Sequence, residues 1–226
     1  MKIKILRQQT PVSEPCWEGF DYDGPDNISV AALIDYINFQ DDIINDRGEK
    51  TARIGWECSC LQGICGACAM VINGVPALAC ETFLKDLKGS EIKIQPLKKF
   101  PVVHDLITDR SSIQDTLKEN SIYIAEYKPG KDKDHSHQYL AAKCLKCGLC
   151  LEVCPNYSDG KMFHGALFAN DCYLVASRNS DKKEETEKAY KKHFGSGCSK
   201  ALSCMSVCPM KIPTIASMAK LNGNKL

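Results

Sequence analysis

Eleven of the fourteen cysteines in this 226-residue chain fall into three spaced groups. They are Cys60-x4-Cys65-x2-Cys68-x11-Cys80, Cys144-x2-Cys147-x2-Cys150-x3-Cys154-Pro155, and Cys198-x5-Cys204-x3-Cys208-Pro209. Soft thiolates at such spacings select iron–sulfur clusters or zinc over hard cations. The x4 and x2 steps of the first group match the plant-type two-iron pattern. Gly63 and Gly66 let its backbone curl closely and leave N–H groups free to point at sulfur. Cys80 is expected as the fourth ligand, carried back toward Cys68 by a tight hairpin at Asn73-Gly74. Cys58 competes with Cys60 for the first ligand position, and Cys60 is preferred because the x4 step begins there.

The second group has the bacterial ferredoxin spacing, in which the fourth cysteine serves a different cluster. Cys144, Cys147 and Cys150 are therefore expected to hold three corners of a four-iron cluster, with the fourth supplied by Cys208. Cys154, Cys198 and Cys204 then remain for a third cluster. A full repeat would place a cysteine at 201, where the chain has Ala201. Three thiolates suit a three-iron cluster, and a fourth, exchangeable iron held by water is the alternative. Structural zinc is the competing reading of all three groups, but interleaved Cys-Pro endings have no purpose in a zinc fold. Three clusters in one small chain make an electron wire with a partner at each end.

These groups need scaffolds of two kinds. Lys2 to Leu6 alternates as a strand, with residues 17–22 as a plausible hairpin partner. Ser29 can cap a helix over Val30 to Phe39. Residues 70–72 and 75–78 flank the Asn73-Gly74 turn, and Glu91 to Gln95 alternates as a closing strand. After Pro101 the periodicity turns helical through Leu106, Ile113, Leu117 and Ile124. Lys128 to His137 reads as a polar loop, Phe163 to Ala176 as a buried helix, and Asp181 to Phe194 as a charged, exposed one. The expected class is α+β, with a [2Fe-2S] domain over 1–100 and a helical two-cluster domain over 101–226. Metal–thiolate bonds would replace part of the core that so small a second domain lacks.

Twenty-nine basic and twenty-eight acidic residues leave no field to draw nucleic acid. No uncharged apolar run approaches the roughly eighteen residues of a membrane span. No signal-peptide pattern follows Met1, so a reducing cytoplasmic compartment is expected, with only peripheral membrane contact through a partner. Cys16 and Cys172 read as small apolar residues, Cys172 within the buried helix. The histidines His104, His135, His137, His164 and His193 show no metal pattern, and no G-x-G-x-x-G fingerprint is present. Substrate chemistry is therefore not expected in this chain, and no residue is expected to be catalytic.

Residues 60–70, Leu78-Ala79-Cys80, residues 100–106 and both Cys-Pro groups resemble the iron–sulfur subunit of succinate dehydrogenase and fumarate reductase. That resemblance spans essentially the whole chain. It implies a plant-type ferredoxin (β-grasp) domain followed by a helical bacterial-ferredoxin-like domain. It also implies [2Fe-2S] on Cys60, Cys65, Cys68 and Cys80, [4Fe-4S] on Cys144, Cys147, Cys150 and Cys208, and [3Fe-4S] on Cys154, Cys198 and Cys204. The implied partners are a flavoprotein carrying FAD and a cytochrome b-type membrane anchor that binds haem or quinone. The chain departs from the family at Glu57-Cys58, where arginines are common. It departs again at Asn156, Asp159 and Ser199, where the ubiquinone-reducing branch has Ser, Trp and His, so menaquinone is the expected acceptor. An iron–sulfur wire for another flavoprotein, or for a heterodisulfide-type partner, is the alternative reading. The direction of the reaction is not written in a wire.

Overall fold

A computed structural model describes residues 1–130 and 133–223. It divides into two compact units, Met1–Asp109 and Arg110–Leu226.

In the first unit, β1 (Lys2–Arg7) alternates as its sequence requires, burying Ile3, Ile5 and Arg7 on one face. It pairs antiparallel with β2 (Cys16–Asp21), which lies at the edge of the sheet. Ser29 caps α1 (Val30–Asn38) by accepting from the Ala32 N–H at 3.2 Å, and α1 buries Val30, Leu33, Ile34 and Ile37. β3 (Ala69–Ile72) and β4 (Val75–Leu78) form the tight hairpin. Asn73 and Gly74 both take left-handed φ, 48° and 81°, as a two-residue turn of this hand demands. β5 (Glu91–Gln95) closes a five-stranded sheet of order β2-β1-β5-β3-β4, parallel to β1 and antiparallel to β3. Each fully buried Ile or Leu here contributes about 1.5–3 kcal/mol.

Residues 101–109 belong to this first unit and are not helical. β6 (Val102–His104) and β7 (Ile107–Thr108) form a small antiparallel pair turned at Asp105, whose φ is 48°. The β-branched Val102, Val103, Ile107 and Thr108 favour strand, and aspartate tolerates the left-handed turn better than most residues. Helical periodicity begins later, with α2 (Ser111–Glu119) burying Ile113 and Leu117.

The second unit is built around α5 (Gly165–Arg178), which is buried on most sides. Around it pack α3 (His135–Ala142), α4 (Leu149–Glu152), α6 (Lys183–His193) and α8 (Thr214–Leu221), while the short α7 (Ser203–Ser206) packs on α4. The polar stretch from Lys128 is a loop only in part. Asp134 accepts from the His137 N–H and starts α3, a helix that its polar composition concealed. Lys131 and Asp132 of that stretch lie outside the described residues. α6 is the charged, exposed helix, carrying Lys188–Glu184 at 2.7 Å and burying Tyr190 and Thr186. Among the described residues, no helix is long and apolar enough to cross a membrane.

Candidate cluster-binding sites

The first cysteine group lies on an irregular segment between α1 and β3, and two devices hold that segment. At its far end the β3–β4 hairpin returns the chain, and a short turn over Ala79–Glu81 carries Cys80. The Cys68 and Cys80 sulfurs consequently lie 3.4 Å apart although eleven residues separate them. At its near end is Asp105, which is fully buried. Asp105 accepts from the Gln8 N–H at 3.0 Å and the Gly55 N–H at 2.9 Å, and pairs with the Arg7 guanidinium at 3.0 Å. Arg7 also holds Glu18 at 2.6 Å and donates to the Ala52 and Arg53 carbonyls. Residues 52–55, which lead into the cysteines, are thereby fastened to β1.

Within the loop, backbone N–H groups converge on sulfur. Gln62 donates to Cys60 and Gly63 to Cys80, both at 3.3 Å, and Ala67 donates to Cys65 at 3.5 Å. Gly63 reaches Cys80 from φ 71°, a conformation that glycine adopts without strain. The Gln62 N–H, followed by the Cys65 thiol and the Ile64 N–H, pulls Cys60 down to about 7. Burial pushes Cys58 up, and Asp35 adds to the effect. Burial and the Cys68 contact push Cys80 up to about 12. Thiolate character is thus easy at Cys60.

The two later groups share one backbone path. In the loop from Cys144 to Cys150, Lys146 and Gly148 are left-handed, at φ 56° and 85°. In the loop from Cys198 to Cys204, Lys200 and Leu202 take φ 58° and 62° at the same offsets. Each loop ends in a one-turn helix, α4 or α7, capped by Gly148 or Leu202. Ala201 stands where Cys147 stands in the other loop. This repeat is a backbone duplication that the cysteine spacing hinted at and that the residues between, Lys-Cys-Gly against Lys-Ala-Leu, half conceal.

The loops converge on one another. A cavity is lined by Cys144, Cys147, Cys150, Cys204 and Cys208, with Leu167 and Asn170 of α5 on its wall. Cys154 and Cys198 lie near enough to Cys204 to push it up, while Cys204 also lines the cavity of Cys144, Cys147, Cys150 and Cys208. Burial pushes Cys147 up to about 11 and Cys150 well above the ordinary thiol value, with neighbouring sulfurs adding to both. Burial also raises Cys144 and Cys204. The donor set, the N–H groups aimed at sulfur and the left-handed turns all fit iron–sulfur clusters. Among the described residues, no three His, Cys, Asp or Glu side chains gather closely enough for a single ion.

Of the remaining cysteines, Cys172 is buried in α5 as expected. Cys16 is not a packed residue: it is exposed, because it opens an edge strand whose first two residues face outward. Sequence reading overlooked the role of Asp105, for which its place in residues 100–106 was the available signal. It also overlooked a buried chain running His137 Nε2–Ser217 Oγ (3.0 Å) and Ser217 Oγ–Asn170 Oδ1 (3.4 Å), for which helix periodicity offered none.

Comparison with known proteins defines the class first. Residues 2–115 match the family described as a 2Fe-2S iron-sulfur cluster binding domain, so this is an iron–sulfur protein. The succinate dehydrogenase iron-sulfur subunit of Bacillus subtilis is 33% identical over 98% of this chain and 91% of its own length. The fumarate reductase iron-sulfur subunit of Escherichia coli O157:H7 is 28% identical over 96% and 90%. A chain of the Mycobacterium smegmatis Sdh1 complex in the apo form superposes with a TM-score of 0.75, covering 98% of this chain and 95% of that one, at 23% identity. That last likeness speaks for the fold. The chain belongs to the family of iron–sulfur subunits of succinate dehydrogenase and fumarate reductase.

Proposed function

We propose that this chain relays electrons between the FAD of a flavoprotein subunit and a quinone- or haem-bearing membrane anchor. It would do so as the electron-transfer subunit of a succinate/fumarate oxidoreductase, at the cytoplasmic face of the membrane. Cys60, Cys65, Cys68 and Cys80 would hold [2Fe-2S] within a plant-type ferredoxin domain. Cys144, Cys147, Cys150 and Cys208 would hold [4Fe-4S], and Cys154, Cys198 and Cys204 would hold [3Fe-4S], within a bacterial-ferredoxin-like one. When bound, the clusters supply one-electron transfer, with potentials set by nuclearity, charge and hydrogen bonds to sulfur. The chain's own residues would hold them and aim N–H groups at their thiolates.

The observation that carries this reading is the convergence of Cys208, together with Cys204, on the cavity of Cys144, Cys147 and Cys150, with Ala201 at the offset that Cys147 holds in the other loop. Full-length protein purified without oxygen should contain about nine irons per chain, the total of a two-, a four- and a three-iron cluster. Oxidation should develop the paramagnetic signal of a three-iron cluster. Ala201→Cys should raise the iron content to about ten, abolish that signal and lower the potential of the third cluster. Unmodified protein with about ten irons and no such signal would end the three-iron assignment.

Menaquinone is the proposed acceptor. Asn156 donates to the Gly197 carbonyl at 2.7 Å and accepts from the Ser199 hydroxyl at 2.8 Å. Asp159 accepts from the Lys161 N–H at 3.0 Å. Asn156 and Ser199 are thus bonded to each other and Asp159 to its own loop, at the three positions where the ubiquinone-reducing branch has Ser, His and Trp. The whole complex should turn over faster with a low-potential naphthoquinone than with a ubiquinone analogue, and the opposite order would defeat this part of the reading.

A further inference from the structure

The geometry points to Lys146 as the cation that offsets the buried Asp171 carboxylate beside the cluster held by Cys144, Cys147, Cys150 and Cys208, so that neither charge alone shifts its potential. The inference rests on the four-iron assignment above. Lys146 lies inside the cysteine loop, between Cys144 and Cys147. Its left-handed backbone, φ 56°, turns its N–H to the Cys144 sulfur while its ammonium pairs with the Asp171 carboxylate. Asp171 is 4% exposed, on α5, beside the Asn170 that lines the cysteine cavity. Both charges reach the Cys144 sulfur, with opposite sign.

A buried carboxylate close to the Cys144 thiolate opposes the arrival of another negative charge, whereas the ammonium favours it. Together the two cancel, and the cluster experiences a dipole rather than a net charge. The duplicated loop offers a contrast, because Lys200 at the matching offset is exposed to solvent. The neutralising arrangement therefore belongs to one cluster loop and not to the fold of both. In a partly buried site with an effective dielectric near 20, one uncompensated charge within about 12 Å shifts a charging equilibrium by at least about an order of magnitude.

The test is an EPR-monitored redox titration of the full-length chain carrying its clusters. Lys146→Met should make the four-iron cluster about tenfold harder to reduce at fixed potential, about 59 mV downward for a one-electron couple. Asp171→Asn should move it by a similar amount upward, and the double variant should return near the starting value. Lys146→Arg, which keeps the charge in an exposed enough position to fold normally, should leave the midpoint where it is. Shifts of the same sign, or none, in variants whose four-iron signal integrates to full occupancy would overturn the inference alone. Should Asp171→Asn fail to fold, Lys146→Met measured against Lys146→Arg decides the question, since equal midpoints overturn it. Absence of a four-iron signal from the unmodified chain would overturn the cluster assignment, and the inference with it.

Discussion

Asp105→Ala should unfasten the first cluster loop, and its cost can be worked from the buried contacts. The substitution takes away one of the two carboxylates that hold Arg7, whose side chain is 8% exposed. It also strips the acceptor from the Gln8 and Gly55 N–H groups. Breaking a buried pair costs about 3–5 kcal/mol, and each orphaned N–H about 1–3 kcal/mol if it stays dry. Glu18 continues to hold Arg7 at 2.6 Å, and water can enter the vacated space, so the sum falls well short of full additivity. A loss of about 4 kcal/mol is expected. At about 4 °C per kcal/mol for a unit of this size, the melting temperature of the first unit should fall by about 16 °C. Asp105→Asn tolerates the same left-handed backbone and keeps one acceptor oxygen, so it isolates the charge and should cost about half as much. Thermal melts followed by circular dichroism, together with the visible absorption of the two-iron cluster, make the assay. A fall of less than about 5 °C, with a normal two-iron spectrum, would refute the claim that this carboxylate positions the loop.

Three further outcomes follow from the same geometry. Cys60→Ser should abolish or distort the reduced two-iron EPR signal while Cys58→Ser retains it, because the Gln62 N–H is aimed at Cys60 and Cys58 stands exposed outside the x4 spacing. Leu202→Gly should stabilise the second unit by about 1 kcal/mol in urea unfolding by relieving a left-handed leucine, and no gain would show that its turn is unstrained. The stacked His164 and His193 rings, 4.1 Å apart, titrate low because burial disfavours their cations, with His193 adding at His164 and Lys192 at His193. The unfolded chain then binds more protons than the folded one just below about pH 6.5, so this stability is complete above that pH and is lost as the pH falls through the folded values. The urea midpoint of the second unit should drop between about pH 7.5 and 5.5, and a midpoint that is flat or rises on acidification contradicts the sign.

Much of this protein was legible in its amino-acid order because local chemistry decides it. Cysteine spacing is a covalent ruler, and Asn73-Gly74 selects its turn by backbone sterics alone. The alternation of Lys2 to Leu6 and the apolar breadth of Phe163 to Ala176 likewise announced β1 and α5, to within two residues at each end. Other features depended on where separated segments meet. Residues 102–108 read as part of a helical stretch, but β-branched side chains and the burial of Asp105 against Arg7 make them a hairpin of the first unit. Cys16 read as a small apolar residue, and it is exposed because a strand at the edge of a sheet leaves its first side chains in water, and sheet order is a tertiary fact. The matching left-handed turns at Lys146 and Lys200, and at Gly148 and Leu202, are invisible to spacing because non-glycine residues occupy three of the four positions. The burial of Asp171 against Lys146 spans twenty-five residues, and no periodicity encodes it. Spacing determines which sulfurs can share a metal core. The charges those sulfurs meet come from helices packed against them, and that only the tertiary structure decides.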